Sequence, residues 1–231
     1  MTVPPDGNSV VTRPRAVRSA AVGAAACLVV LALLGAGVHT GFGPQLRIDA
    51  AVADFMYAGD HRATALDRLL EVLTAPGLSA VRFVVFLPVA LRLVQRRLWW
   101  TAAWIVTAVV LVGPLTTLLK NFFGRVRPPF QNGGARYESL SFPSGHSSGI
   151  ATLVTVALVL AWPLLSARAR RWSLVAGTVL VLVVGLTRMW LGVHFLSDVI
   201  GGWSLGIAWT LLTAQVFGAL PGGRASLRPA A

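Results

Sequence analysis

The chain is poor in charge, poorer in acid and almost free of cysteine. Charged residues make up 12% of its 231 positions, with eight acids against twenty lysines and arginines. So little charge excludes both an intrinsically disordered chain and a soluble enzyme, which need a solvated surface. The single cysteine, Cys27, sits inside an apolar run. It excludes an intramolecular disulfide and a cysteine-built metal site, and reads as a small packing residue. The shortage of acid leaves a net charge of +12, which in a soluble protein points to nucleic acid. Here the basic residues fall between long apolar runs, 55% of the chain is hydrophobic and mean hydropathy is +0.72. The partner indicated is a lipid bilayer, with no nucleic acid.

A bilayer core about 30 Å thick takes roughly 20 helical residues. Six stretches fit that length, at 19–41, 77–95, 98–119, 147–165, 172–190 and 195–219. None alternates apolar with polar residues as a barrel strand does, so the expected fold is all-α, a polytopic six-transmembrane-helix bundle. The expected organisation is an N-terminal segment at 1–18, a transmembrane domain at 19–219 and a tail at 220–231. Pro88, Pro114 and Pro163 are candidate kinks. Gly202 and Gly206 form a small-x-x-x-small pair that predicts close helix contact and no chemistry. The first run follows Arg13, Arg15 and Arg18 but is over 20 residues long with no clear Ala-x-Ala exit, so it reads as a retained helix rather than a cleaved signal.

Basic residues concentrate on the cytoplasmic side of membrane proteins. With the N-terminus inside, the inside segments hold eleven arginines against the single acid Asp6, and the outside segments hold eight basic residues against seven acids. Arg82, within the second span, is the twentieth basic residue. Both termini are therefore expected in the cytoplasm. Trp99, Trp100 and Trp172 flank inner span ends and read as interfacial anchors.

One outer loop, 120–146, is dense in polar groups: KNFFGRVRPPFQNGGARYESLSFPSGH. Lys120 ends the third span and Arg127-Pro128 follows seven residues later. Taken alone, Lys120 reads as a snorkelling lysine. Pro143-Ser144-Gly145-His146 precedes the fourth span, where a Ser-Gly step offers unpaired backbone N–H groups, a hydroxyl and the positive end of a helix dipole to a phosphate. Alone, it reads equally as an N-cap serine with an incidental histidine. The third block, Thr187 to Asp198, bridges spans five and six. His194 and Asp198 are four apart, so on a helix they share a face and the carboxylate can accept the imidazole N–H, leaving the other ring nitrogen as a nucleophile. Asp198 is also the only acid in the last 90 residues; its plain alternative is a helix-dipole partner. Parity joins the blocks: they follow span three, precede span four, end span five and precede span six, which puts all of them on one membrane face. Together they are the parts for phosphoryl transfer through a covalent phosphohistidine.

The three blocks, K-x6-R-P, P-S-G-H and T-R-x5-H-x3-D in that order, resemble the signature motifs of the type 2 phosphatidic acid phosphatase superfamily. They span 120–198, with Thr187 standing where the family usually has serine. The resemblance implies a six-helix membrane lipid phosphatase; soluble relatives include vanadium haloperoxidases. It implies that His194 attacks phosphorus, that Asp198 orients it, and that His146 protonates the leaving oxygen and later helps activate water. Lys120, Arg127, Ser144, Gly145 and Arg188 would bind the phosphoryl oxygens, with no metal and no cofactor.

The expected function is thus hydrolysis of a phosphomonoester or diphosphate of a lipid, on the extracytoplasmic face of the plasma membrane. By resemblance the candidate substrates are undecaprenyl diphosphate, phosphatidylglycerophosphate and phosphatidic acid. A lipid-phosphate binding or transport protein is the rival of different class; a phosphotransferase would use the same residues. Asp49, Asp54, Asp60, His61, Asp67 and Glu71, between spans one and two, read as solvated helix faces, with a lid over the lipid entrance as the alternative. Arg125, Arg136 and Glu138 are candidates for headgroup contact and are left out of the expected site.

Overall fold

The long apolar runs form helices that satisfy their own backbone, which a bilayer requires. The computed structural model describes residues 13–227. Residues 1–12 of the expected N-terminal segment and 228–231 of the expected tail, with Asp6 and Arg228, lie outside the described residues. In chain order the helices are α1 (Arg13–His39), α2 (Gly43–Met56), α3 (Thr64–Thr74), α4 (Ser79–Gln95), α5 (Trp99–Phe123), α6 (Gly145–Ala161), α7 (Ala167–Trp190) and α8 (Leu196–Phe217). There is no strand among the described residues, and the fold is an all-α polytopic membrane bundle.

Among the described residues five helices are long and apolar enough to cross a membrane unbroken: α1, α5, α6 with the turn that follows it, α7 and α8. The remaining expected span is α4, joined through a 3-10 turn at Ala75–Gly77 to α3, and the pair bends by 42°. Arg82 ties this bend together, donating from Nη1 to the Gly77 carbonyl at 3.3 Å and from Nη2 to Ser79 Oγ at 3.0 Å. Pro88 and Pro114 lie inside α4 and α5, whereas Pro163 falls in the 3-10 turn at Trp162–Leu164. The first helix starts at Arg13, six residues before the expected boundary at 19. Nor is the tail free: Leu220 and Ala225 are buried, and Thr101 Oγ1 on α5 donates to the Ala225 carbonyl at 2.8 Å.

The helix α8 is the centre of the bundle, with α1, α5, α6 and α7 around it. Its tightest neighbour is α6, because the two helices meet at small residues. A Cβ on Gly202 would lie 2.7 Å from Ser147 Cβ, and one on Gly206 would run into the Ser148 carbonyl and Ala151. This is the close approach that the Gly202/Gly206 spacing predicts. Trp104, Ile105, Ala108, Val156 and Ala214 pack together in the core. Large apolar side chains such as Val29, Leu33, Val84, Leu87, Leu118, Val179 and Val216 face outward, where acyl chains replace water as solvent. Trp99, Trp100 and Trp172 are exposed at the opposite end from the polar blocks, and Arg224 lies 3.7 Å over the Trp100 ring.

Candidate active site

Four helix ends converge at one end of the bundle, as the motif order requires: α5 and α7 end there, and α6 and α8 begin there. The turn from α7 to α8 sets His194. Gly192 takes φ +67, a left-handed conformation that glycine adopts without strain, and a Cβ there would lie 2.5 Å from the Tyr57 ring. The Gly192 N–H donates to the Met189 carbonyl at 2.8 Å and its own carbonyl accepts from Gly134 at 2.9 Å. His194 follows, 2% exposed, just ahead of α8.

Asp198 sits in the first turn of α8 and reaches back. Its Oδ2 accepts the Phe195 N–H at 2.9 Å and lies 3.3 Å from His194 Nδ1, and it accepts the Ser141 hydroxyl as well. With a carboxylate at Nδ1, that nitrogen carries the proton and the lone pair is on Nε2. Arg127 Nη1 donates toward Nε2 at 3.1 Å and to the Val193 carbonyl at 2.8 Å. The rest of the Arg127 fork binds the Ser139 carbonyl from Nε at 2.7 Å and Ser139 Oγ from Nη2 at 3.0 Å, with the Tyr137 ring 4.8 Å away. Burial is the main force lowering the His194 pKa, to about 3, opposed by Asp198 and reinforced by Arg127 and Arg188. Burial likewise lowers the pKa of the Arg127 guanidinium, against the opposite pull of Asp198.

Lys120, in the last turn of α5, donates to the Leu140 carbonyl. Arg188, in the last turn of α7, is 5% exposed. It reaches Thr74 Oγ1 from Nη1 at 3.4 Å, and its Nε is buried without a partner among the described residues. A polar recess of about 70 Å3 adjoins it, lined by Arg62, Asp67, Asn132, Arg136 and Tyr137 among others. His146, in the first turn of α6, has Arg188, His194, Arg127 and Arg82 as its charged or titratable neighbours. The structure therefore brings Lys120, Arg127, Arg188, His146, His194 and Asp198 to one place.

Ser144 serves first as a joint. Its Oγ caps α6 by accepting from the Ser147 N–H at 3.4 Å, and its N–H donates to the Asp198 carbonyl at 2.9 Å. The Gly145 and His146 N–H groups of the first α6 turn find no acceptor among the described residues, which leaves them at a positive helix end as anion donors. Thr187 spends its hydroxyl on the Val184 carbonyl at 2.7 Å, within its own helix.

Three groups of residues escape the sequence reading. Asp49 was expected on a solvated face; it is 1% exposed, on α2, with Oδ2 2.7 Å from Arg125 Nη2. Arg125, at most a headgroup contact in the sequence reading, spans two carboxylates, with Nη1 2.8 Å from Asp198 Oδ1. No local signal marks this pair, because the partners lie 76 and 73 residues away along the chain. Arg82, 3% exposed, stands against Gly149, one helical turn beyond His146, with no carboxylate partner among the described residues. Asp67 also departs from a solvated role, pairing with Arg62 at 2.7 Å, while Arg62 Nη2 donates to the Asn132 carbonyl at 2.9 Å. The segment between spans one and two is thus two helices and a loop bound to the rim of the site.

Residues 99–221 match the PAP2 superfamily. The chain is 44% identical over 96 residues to phosphatidylglycerophosphatase B of Bacillus subtilis (strain 168), covering 40% of this chain and 46% of that protein. It is 38% identical over 130 residues to a lipid A 1-phosphatase of Rhizobium etli, 51% of each chain. The chain spans about half the length of these two relatives. A crystal structure of the transmembrane PAP2 type phosphatidylglycerolphosphate phosphatase from Bacillus subtilis superposes with a TM-score of 0.71 at 26% identity, covering 84% of this chain and 94% of that one.

Proposed function

The chain belongs to the PAP2 superfamily, and we propose that it is an integral membrane lipid phosphate phosphatase that hydrolyses a phosphomonoester or diphosphate through a phosphohistidine. The observation that carries this reading is the His194–Asp198 couple, 3.3 Å apart and buried, with Lys120, Arg127 and Arg188 around it. Similarity to proteins named for phosphatidylglycerophosphate and for lipid A 1-phosphate supports a lipid-borne phosphate as substrate.

The phosphoryl group docks between the Nε2 edge of His194 and the first turn of α6. Its oxygens take N–H groups from Gly145 and His146 and charge from Lys120, Arg127 and Arg188; the unpartnered Arg188 Nε is a donor held ready for one of them. Arg127 must move its Nη1 contact from His194 to the phosphate, which uncovers the lone pair as substrate binds. His194 Nε2 then attacks phosphorus in line with the leaving oxygen, and His146 gives that oxygen its proton. Asp198 balances the positive charge that forms on the ring. In the second half His146 takes a proton from water as the water oxygen bonds to phosphorus, the P–N bond breaks with its electron pair returning to His194 Nε2, and inorganic phosphate leaves. Side-chain cations do the work that magnesium does in other phosphoryl-transfer sites. Ser144 contributes by fixing the start of α6 against Asp198.

The charge asymmetry of the loops supports a cytoplasmic N-terminus, so the site opens on the extracytoplasmic face of the plasma membrane. Phosphate release from a panel of lipid monophosphates and diphosphates in detergent, with EDTA present, tests the function. Release from at least one of them is expected. Tight binding of the panel without release would make the chain a lipid-phosphate binding protein, and loss of release in EDTA with rescue by magnesium would overturn the metal-independent mechanism.

A further inference from the structure

Behind the His194–Asp198 couple lies a second, wholly protein-internal charge cluster. Arg125 Nη1 holds Asp198 Oδ1 at 2.8 Å and Arg125 Nη2 holds Asp49 Oδ2 at 2.7 Å, with the guanidinium stacked 4.1 Å over the Phe195 ring. Ser197 ties the far carboxylate in place: its N–H donates to Asp49 Oδ1 at 2.9 Å and its hydroxyl to Asp49 Oδ2 at 2.6 Å, while Ser197 Oγ accepts from Arg125 Nη1 at 2.7 Å. The three ionic side chains are nearly closed to solvent, at 9%, 2% and 0% exposure for Arg125, Asp49 and Asp198.

Burying three charges is a costly way to dock a helix, since apolar contacts do that without desolvating ions. Charge arithmetic supplies a reason. A lone Arg125–Asp198 pair is neutral, and a neutral pair offers little to a ring that turns cationic. With Asp49 the cluster carries one net negative charge, and that charge lies on the side of His194 facing away from Arg127. We propose that Asp49 and Arg125 are positioning residues for the nucleophile: Arg125 fixes Asp198 through Oδ1 so that Oδ2 points at His194 Nδ1, and Asp49 draws off part of the arginine's charge so that Oδ2 remains a strong acceptor. The helix α2, outside the membrane spans, thereby reaches the reacting imidazole through two ion pairs. The charged groups facing Asp198 are Arg125, His194, Arg127 and Lys120; the one facing Asp49 is Arg125.

The inference rests on the proposed nucleophilic role of His194, and its test separates the two. The probe is the His194 Nδ1–H proton resonance of the full chain in detergent, assigned by its loss in His194→Ala, read beside turnover of a water-soluble lipid phosphate. In Asp49→Asn the arginine is left to Asp198 alone, the Nδ1–H···O bond weakens and the resonance moves upfield. In Arg125→Gln the carboxylate no longer shares its charge with a guanidinium and the resonance moves downfield. Both variants lose roughly 10-fold in kcat, the scale on which outer partners of a reacting group act, with KM within about twofold of wild type. A role confined to holding the fold would not move the proton in opposite directions. Should Arg125→Gln not purify as a monodisperse protein, Asp49→Asn and Asp49→Ala decide, both upfield. Shifts of one sign in Asp49→Asn and Arg125→Gln, or wild-type resonance and kcat in Asp49→Asn, overturn the proposal while wild-type turnover and an inactive His194→Ala keep the phosphohistidine reading. A turning-over His194→Ala overturns that reading first.

Discussion

Arg127 Nη1 stands 3.1 Å from His194 Nε2, on the edge of the imidazole opposite Asp198. The ring is held at both nitrogens before any substrate arrives, by a carboxylate on one side and a guanidinium on the other. In the proposed mechanism this contact covers the His194 lone pair until a substrate phosphate draws the arginine away. In the proposed mechanism Arg127 serves twice, as anchor of the loop through Ser139 and as phosphate donor.

Arg127→Lys is therefore expected to lose at least 10-fold in kcat/KM with the fold intact. An ammonium cannot span Ser139, Val193 and His194 Nε2 at once, because a point charge does not reproduce a planar fork. Steady-state kinetics on one lipid phosphate checks this, and near wild-type kcat/KM would show that charge alone suffices.

The His194 pKa, lowered to about 3 by burial, has a directional consequence. An unfolded histidine titrates near 6.5, so between those limits the folded state binds fewer protons than the unfolded one. The stability this contributes is fully present above about 6.5 and is lost as pH falls toward 3. Likewise the imidazole stays neutral, and the nucleophile available, at pH 5. Nitrogen-15 spectra of histidine-labelled protein at pH 7 and pH 5 should show a neutral His194 ring at both, and titration of that ring near 6.5 would contradict the burial argument.

The two histidines separate by leaving group. His146→Ala should slow hydrolysis of a lipid monophosphate by roughly 10²- to 10⁴-fold, the worth of general acid catalysis. The loss should shrink for a diphosphate or nitrophenyl phosphate, whose leaving group departs without a proton. An equal loss on both substrates would assign His146 to phosphate binding instead.

Sidedness follows from the loop charges. A reporter inserted near Asn132, in the loop before α6, should be external, and one fused after Ala231 cytoplasmic. Cytoplasmic signal from the Asn132 insertion would put the site on the inner leaflet.

The apolar spans and the grouping of the motif residues at one end of the bundle were legible because each rests on local chemistry. Apolar length marks a span, and Ser144-Gly145 before a helix or His194 four residues ahead of Asp198 is a pattern within one turn. The back of the site was not legible, since Asp49 and Arg125 are ordinary residues whose meaning comes from tertiary contact. A carboxylate in a polar inter-span segment reads as solvated, and only the docking of α2 against α8 buries it. Arg82 was hidden for the same reason: its burial depends on the bend between α3 and α4 and on the missing side chain of Gly149.

The central claim is that phosphorus becomes bonded to His194. The direct measurement is rapid acid-free quenching of the enzyme with labelled lipid phosphate, followed by mapping of the label. An adduct stable to base, labile to acid, located on the peptide holding His194 and absent from His194→Ala is the predicted result. A label on His146, or a His194→Ala protein that releases phosphate at the wild-type rate, would contradict it.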